Sequence, residues 1–289
     1  MNYRIAHRST YKYKVPVSVG NHVACLAVRS LPRQRVLSYS LEIRPAPATV
    51  STRTDFFGNQ LCFFTLQHPH TELVVDARSE VVVEDIPRTP CLVPWEDVVQ
   101  RLPHDTRPQT LDAYQFTFES PRIRMRHDFA EYALASFTPS RPMQEALLDL
   151  TARIHADFEF ESGATTVRTP AEDVFRKRRG VCQDFAHVQI ACLRSIGVAA
   201  RYVSGYLRTL PPPGKPRLIG ADASHAWVSA YCPDCGWLDL DPTNNVVPSD
   251  GHVTLAWGRD YGDVSPLRGL VLGGGTHTLK VGVDMEPVQ

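Results

Sequence analysis

The sequence predicts an α+β fold in which an antiparallel β-sandwich domain precedes a core where helices come first and strands follow. Three observations carry this expectation. Apolar residues alternate with period two over the first 85 or so positions, three- and four-residue spacing takes over from about residue 110, and short strand-like segments return after residue 198. A chain of 289 residues with 43% hydrophobic content is long enough for two cores. We place the units at 1–105 and 106–289.

In the first unit, Leu37, Tyr39, Leu41 and Ile43 alternate with Ser38, Ser40, Glu42 and Arg44. Leu73, Val75, Ala77, Val81 and Val83 likewise face away from Asp76, Arg78, Glu80 and Glu84. Each pattern is that of a half-buried strand. Asp55 to Gln60 (Asp-Phe-Phe-Gly-Asn-Gln) reads as a turn in which Gly58 or Asn59 takes positive φ, feeding the apolar run Leu61 to Phe64. Prolines 87, 90, 94, 103 and 108 then predict a linker, because each removes a backbone donor and blocks both helix interior and ladder.

The second unit opens with Met143, Ala146, Leu147, Leu150, Ile154 and Phe158, one face of an amphipathic helix. Thr169, Pro170 and Glu172 predict a capping box with proline at the first helical position, and Gly180 predicts the stop. A further helix begins at Cys182, with Ala186, Gln189, Leu193 and Ile196 on its face and Gly197 as its close. Strands are expected at 198–206, 223–231 and 237–241, with the Pro211-Pro212-Pro213-Gly214 loop between the first two. After Gly273-Gly274-Gly275, a closing strand alternates Leu279, Val281, Val283 and Met285 with Thr278, Lys280 and Asp284.

Charge excludes some functions. Lys+Arg and Asp+Glu stand at 31 each, so no positive field gathers nucleic acid, and no basic cluster or long apolar run marks a membrane partner. A protein, peptide or small amide is the expected ligand and the cytoplasm the expected compartment. The seven cysteines are an odd, scattered set in a chain that needs no staples, so most are expected to be buried small hydrophobes.

Cys182 stands out from that set because it occupies the first turn of a helix. Unpaired N–H groups and about half a positive charge at a helix N-terminus favour a thiolate and can receive an oxyanion. His225, in a strand-like segment beside Trp227, is the candidate proton shuttle. Asp241 ends an apolar strand before Pro242 and is a candidate to orient the imidazole, with Asp239 two residues earlier as its competitor. Asp184 and His187, one helical turn from Cys182, are read as packing or supporting residues. Cys232-Pro233-Asp234-Cys235 is a CxxC that His225 or His252 would need to join for metal binding, a weak reading without a second matched pair. No cofactor is expected.

With these segments on view, the chain resembles the transglutaminase-like superfamily, in its bacterial branch with a papain-related core behind an N-terminal β domain. Gly180-Val181-Cys182-Gln183-Asp184-Phe185-Ala186 is similar to the nucleophile segment, Ser224-His225-Ala226-Trp227 to the histidine strand, and Gly236-Trp237 through Asn244 to the aspartate strand. The resemblance implies Cys182 as nucleophile, His225 as acid/base and Asp241 as orienting carboxylate, four residues after the tryptophan. It implies acyl chemistry on an amide through a thioester. A binding or scaffold protein that merely keeps the fold is the competing reading, and the intact set of three residue types argues against it.

Overall fold

The computed structural model describes residues 1–87, 89–209 and 223–288. The expected Pro211–Gly214 loop falls outside them. The first five strands are β1 (Asn2–Ala24), β2 (Gln34–Arg44), β3 (Thr49–Thr54), β4 (Gln60–Leu66) and β5 (His70–Val83). They pair antiparallel in the order β2-β5-β1-β4-β3. β1 organises them: its first half pairs with β5 and its second half with β4, so one strand runs through both parts of the sheet. Tyr3, Ile5 and Val17 of β1, Phe64 of β4 and Leu73, Val75 and Val81 of β5 share one apolar core.

At 73–83 every odd residue is buried, as the alternation predicts, and Asp76 on the opposite face is buried as well. That at 37–43 is not: β2 is an edge strand with an irregularity between Val36 and Ser38, and Leu37 remains 50% exposed. Gly58 takes the positive φ the turn requires, 78°, while Asp55 Oδ1 accepts the N–H groups of Phe57 and Asn59.

The proline-rich stretch is helical where an unstructured linker was expected. Helices α1 (Trp95–Arg101) and α2 (Pro108–Tyr114) both lie in it. Pro94 serves as N-cap and Pro108 as first helical residue, positions where a missing N–H costs nothing. The helical layer continues with α3 (His127–Leu134), α4 (Met143–Asp157), α5 (Ala171–Lys177) and α6 (Cys182–Ser195). Short β6 (Glu159–Phe160) and β7 (Arg179–Gly180) pair in parallel.

α6 is buried on nearly all sides between Asp184 and Arg194, which is more than its single apolar face predicted. It packs on the four-stranded antiparallel sheet made by β8 (Ala200–Leu207), β9 (Ala223–Cys232), β10 (Gly236–Leu240) and β11 (His252–Gly258) in the order β10-β9-β8-β11. Phe185, Val188 and Leu193 meet Tyr202, Ala226, Val228 and Leu240 there. Burial of each large side chain contributes about 1.5–3 kcal/mol.

After a single-turn helix α7 (Tyr261–Val264), β12 (Leu267–Gly273) and β13 (His277–Val288) leave the core and pair with β1. The closing strand was expected within 106–289; its hydrogen bonds lie instead in the N-terminal sheet, from Asn2 opposite Val288 to Tyr13 opposite His277. A 23-residue β1 exposes edges that need covering, and the chain end supplies two strands for them.

Candidate active site

The segment before Cys182 is fixed by a carboxylate rather than by a glycine stop. α5 begins at Ala171 with no side-chain cap, and Thr169 Oγ1 instead accepts the Thr166 N–H at 3.0 Å. The residue that ends the helix in the left-handed region is Arg178, at φ 56°. Its guanidinium lies over the rings of Phe175, Phe158 and Tyr132 at 4.3, 4.6 and 4.8 Å, and these contacts hold a conformation an arginine otherwise disfavours. Gly180 serves close approach, since a Cβ there would sit 2.7 Å from Asp184 Oδ2. That oxygen accepts the Val181 N–H at 2.9 Å and the Thr165 hydroxyl at 2.5 Å. Asp184 thus pins the turn from which Cys182 emerges, half-buried, as the first residue of α6. The Asp184 and Phe185 N–H groups both donate to the Val181 carbonyl, and the Cys182 and Gln183 amides, which precede the first of these bonds, are the donors left beside the sulfur.

His225 comes from β9 and is buried. Its Nε2 lies 2.7 Å from Asp241 Oδ2, and the Cys182 side chain stands near enough to the ring to favour its charged form. With Nε2 on the carboxylate, Nδ1 is the nitrogen left to face the sulfur. Asp241 follows the last residue of β10 and is wholly buried. Its Oδ1 accepts the N–H groups of Thr243 and Asn244 at 3.0 and 3.2 Å, so the local turn and the imidazole use different oxygens of one carboxylate. Oδ2 also accepts from Asn244 Nδ2 at 2.7 Å and lies 3.2 Å from His252 Nε2.

These bonds set the charges. Burial disfavours an imidazolium at His225, but the hydrogen bond to Asp241 and the nearby Cys182 side chain outweigh it and raise the pKa to about 10. Burial likewise opposes the Asp241 anion, yet His225, His252 and Asn244 hold the carboxyl well below its ordinary range. A positive ring between a sulfur and a permanent carboxylate can give and take a proton at one atom while the other is held.

Cys182, His225 and Asp241 are therefore side by side. Asp239 is elsewhere, with Oδ2 3.5 Å from Arg33. His187 accepts the Tyr261 N–H at 3.2 Å, a structural bond. The residues sequence reasoning did not assign here are His252 and Asn244. Asn244 has a local signal, its place three residues after Asp241; His252 enters the sequence reading only as a partner for the CxxC.

The cysteines also part from expectation. Cys91 and Cys232, 141 residues apart, form a disulfide that ties the proline-rich stretch to the end of β9. Cys25, Cys62 and Cys192 are buried and free, as small hydrophobes would be. Cys235 lies close enough to make a three-sulfur group with the disulfide, but two of those sulfurs are bonded to each other and cannot serve as thiolate ligands. Neither His225 nor His252 joins the CxxC. Among the described residues, His225, Asp241 and His252 converge within 4.8 Å, the other geometry able to accept a cation.

Comparison with known proteins gives a consistent picture. Residues 3–82 match a model of the bacterial transglutaminase-like N-terminal region, and residues 131–242 match that of the transglutaminase-like superfamily. An uncharacterized protein of Mycobacterium tuberculosis is 41% identical over 300 aligned positions, covering 99% of this chain and 93% of the relative. A protein-glutamine gamma-glutamyltransferase of Pseudomonas aeruginosa is 33% identical over 153 positions, 44% of this chain and 23% of that protein. A crystal structure from Cytophaga hutchinsonii, provisionally named a cysteine protease, covers 100% of this chain and 92% of its own at a TM-score of 0.76 and 24% identity, which establishes a shared fold.

Proposed function

The chain belongs to the transglutaminase-like superfamily, and on that premise we propose that it is a cysteine-dependent enzyme of acyl transfer from an amide. The observation that carries this reading is the imidazole of His225 held between the Cys182 side chain and the buried Asp241 carboxylate. His225 takes the thiol proton at Nδ1, and the Cys182 sulfur attacks the amide carbonyl carbon. The oxyanion that forms is met by first-turn N–H groups of α6. The imidazolium returns the proton to the departing nitrogen, which leaves as a neutral amine or as ammonia, and the acyl group stays on sulfur as a thioester. Water or a second amine, deprotonated by the same imidazole, then releases it. Asp241 keeps Nε2 occupied through both halves.

The substrate class is a protein or peptide carboxamide, a peptide bond or a small amide. Similarity to a glutamine gamma-glutamyltransferase makes glutamine side chains the first donors to try. The test is to incubate the protein with glutamine peptides, with and without a primary amine, and to measure ammonia release and amine incorporation. Intact-mass trapping of an acylated Cys182 accompanies it. Amine incorporation means transamidation, ammonia release alone means hydrolysis, and turnover that persists in Cys182→Ala would refute the mechanism.

A further inference from the structure

Between the N-terminal sheet and the four-stranded sheet lies a cavity of about 1130 Å³. Typical small-molecule sites span about 300–1,000 Å³. Arg201, Tyr231, Trp237 and Trp257 from the four-stranded sheet line it, with Arg29 and Phe57 contributed by the N-terminal unit. Arg201 and Asp239 both lie across from Ser229, which is four residues along β9 from His225 and so about 13 Å away. The cavity is thus distinct from the thiol.

Its walls contain a stack. The Arg29 guanidinium carbon is 3.5 Å from the Trp257 ring centroid, and that of Arg201 is 3.8 Å from the same centroid. Two groups so near one centroid would overlap on a single face, so they flank the ring. Arg201 is also 3.9 Å from the Trp237 ring. The resulting order is Arg29, Trp257, Arg201, Trp237. With aromatic rings on both sides, the open part of the Arg201 guanidinium is its edge, where a carboxylate binds through paired hydrogen bonds.

Among the described residues nothing fills that role. Arg201 is only 9% exposed, yet its Nε has no hydrogen-bond partner, and the fully buried Oγ of Ser229 opposite it has none either. Among the described residues Arg201 forms no ion pair, Asp239 being engaged with Arg33. A second buried arginine illustrates what a purely structural one requires. Arg194 donates to the carbonyls of Ala200, Phe118 and Arg259 at 2.7–3.1 Å. Burial lowers the Arg201 pKa to about 9; Asp239 opposes that shift and the charge of Arg29 adds to it. An arriving anion would relieve both.

We propose that this cavity binds a monocarboxylate carried on a flat apolar body, with Arg201 as the carboxylate anchor between Trp237 and Trp257. Phe57, Phe116 and Tyr231 offer the apolar contact. Of the arginines in the lining, Arg33 is paired with Asp239 and Arg107 with Asp105, and Asp112 offsets part of the charge left on Arg29 and Arg201, which favours a monoanion over a dianion such as phosphate. The carboxylate is that of a free aromatic acid or of a peptide C-terminus.

The test is calorimetric titration of the full chain with 3-phenylpropionate and with its primary amide, beside Gly-Gly-Phe with a free and an amidated C-terminus. The acid form in at least one pair is expected to bind about tenfold or more tightly than its amide, and Arg201→Lys, which keeps the charge but loses the fork, to forfeit that advantage. An unchanged Cys182 alkylation rate in Arg201→Lys verifies that the variant is folded. Binding by phenylpropionate alone identifies a free acid, and by the tripeptide alone a peptide terminus. Equal binding of acid and amide overturns the proposal, as does a full advantage in Arg201→Lys or no binding of either acid at millimolar concentration. The readout is binding and does not depend on acyl-transfer activity.

Discussion

One face of one sheet carries two polar regions that solve the problem of burial in opposite ways. Around Asp241 every charge has its counterpart inside the chain: His225, His252, Asn244 and two backbone amides all converge on one carboxylate. Around Arg201 the aromatic stack is complete but the hydrogen bonding is not. The network around Asp241 leaves His252 Nδ1 and Thr243 Oγ1 without partners but satisfies the Asp241 carboxylate itself, so it is preorganised around the exposed atom, the Cys182 sulfur. A buried cation left open has a use for an outside partner. Trp227 stands between the two regions on β9, with Gly205 across from His225.

The comparison breaks most visibly at the thiol. Cys182→Ala is expected to lower amide turnover by at least about a thousandfold and His225→Ala to do nearly the same, since nucleophile and base act as a unit. Arg201→Lys should leave turnover of a small amide within a few-fold, and a large loss there would mean that the two regions are one site.

The next effect separates neighbouring carboxylates. Asp241→Asn should cost about 10²–10⁴ in turnover through imidazole orientation, while Asp239→Asn changes it little. Steady-state rates on one substrate decide this, and the opposite ranking would show that the carboxylate is misassigned.

Gly205→Ala probes the wall between them. Its Cβ would stand 2.2 Å from the Val253 carbonyl oxygen and 2.3 Å from the Trp227 ring, so a loss of about 1–3 kcal/mol is expected in denaturant unfolding.

Acid–base linkage gives a smaller, signed effect. His225 has its pKa raised to about 10, so its pairing with Asp241 stabilises the fold fully below the free imidazole value of about 6.5 and is lost as pH rises toward 10. Asp241 is held low, so its share is present above about pH 3.9 and is lost as acid protonates it. The melting-temperature difference between wild type and His225→Gln should therefore be flat from about pH 5 to 6.5 and shrink by about pH 10. A difference that grows over that range would reverse the charge assignment. Finally, alkylation of the denatured, unreduced chain should label five cysteines and that of the reduced chain all seven.

Much of this was legible in the chain. Period-two alternation located β5, the apolar spacing located α4, and the turn at Asp55 to Gln60 declared its glycine. Proline density misled because proline stops a helix interior yet starts a helix well, and both Pro94 and Pro108 stand at starts. Gly180 looked like punctuation and is a clearance for Asp184. Edge position, not pattern, left β2 half in solvent.

What the sequence by itself determined was local: which residue types stand at helix starts and strand ends, and hence Cys182 at the head of α6, His225 in a strand and an aspartate before Pro242. Those follow from backbone preferences within a few residues. Tertiary structure alone decided that His252 approaches the Asp241 carboxylate from another strand, that Cys91 joins Cys232, that the chain end completes the first sheet, and that Arg29 and Arg201 flank one tryptophan. Each of those depends on contacts between residues distant in sequence or on which face of a strand turns inward, and no local propensity encodes either.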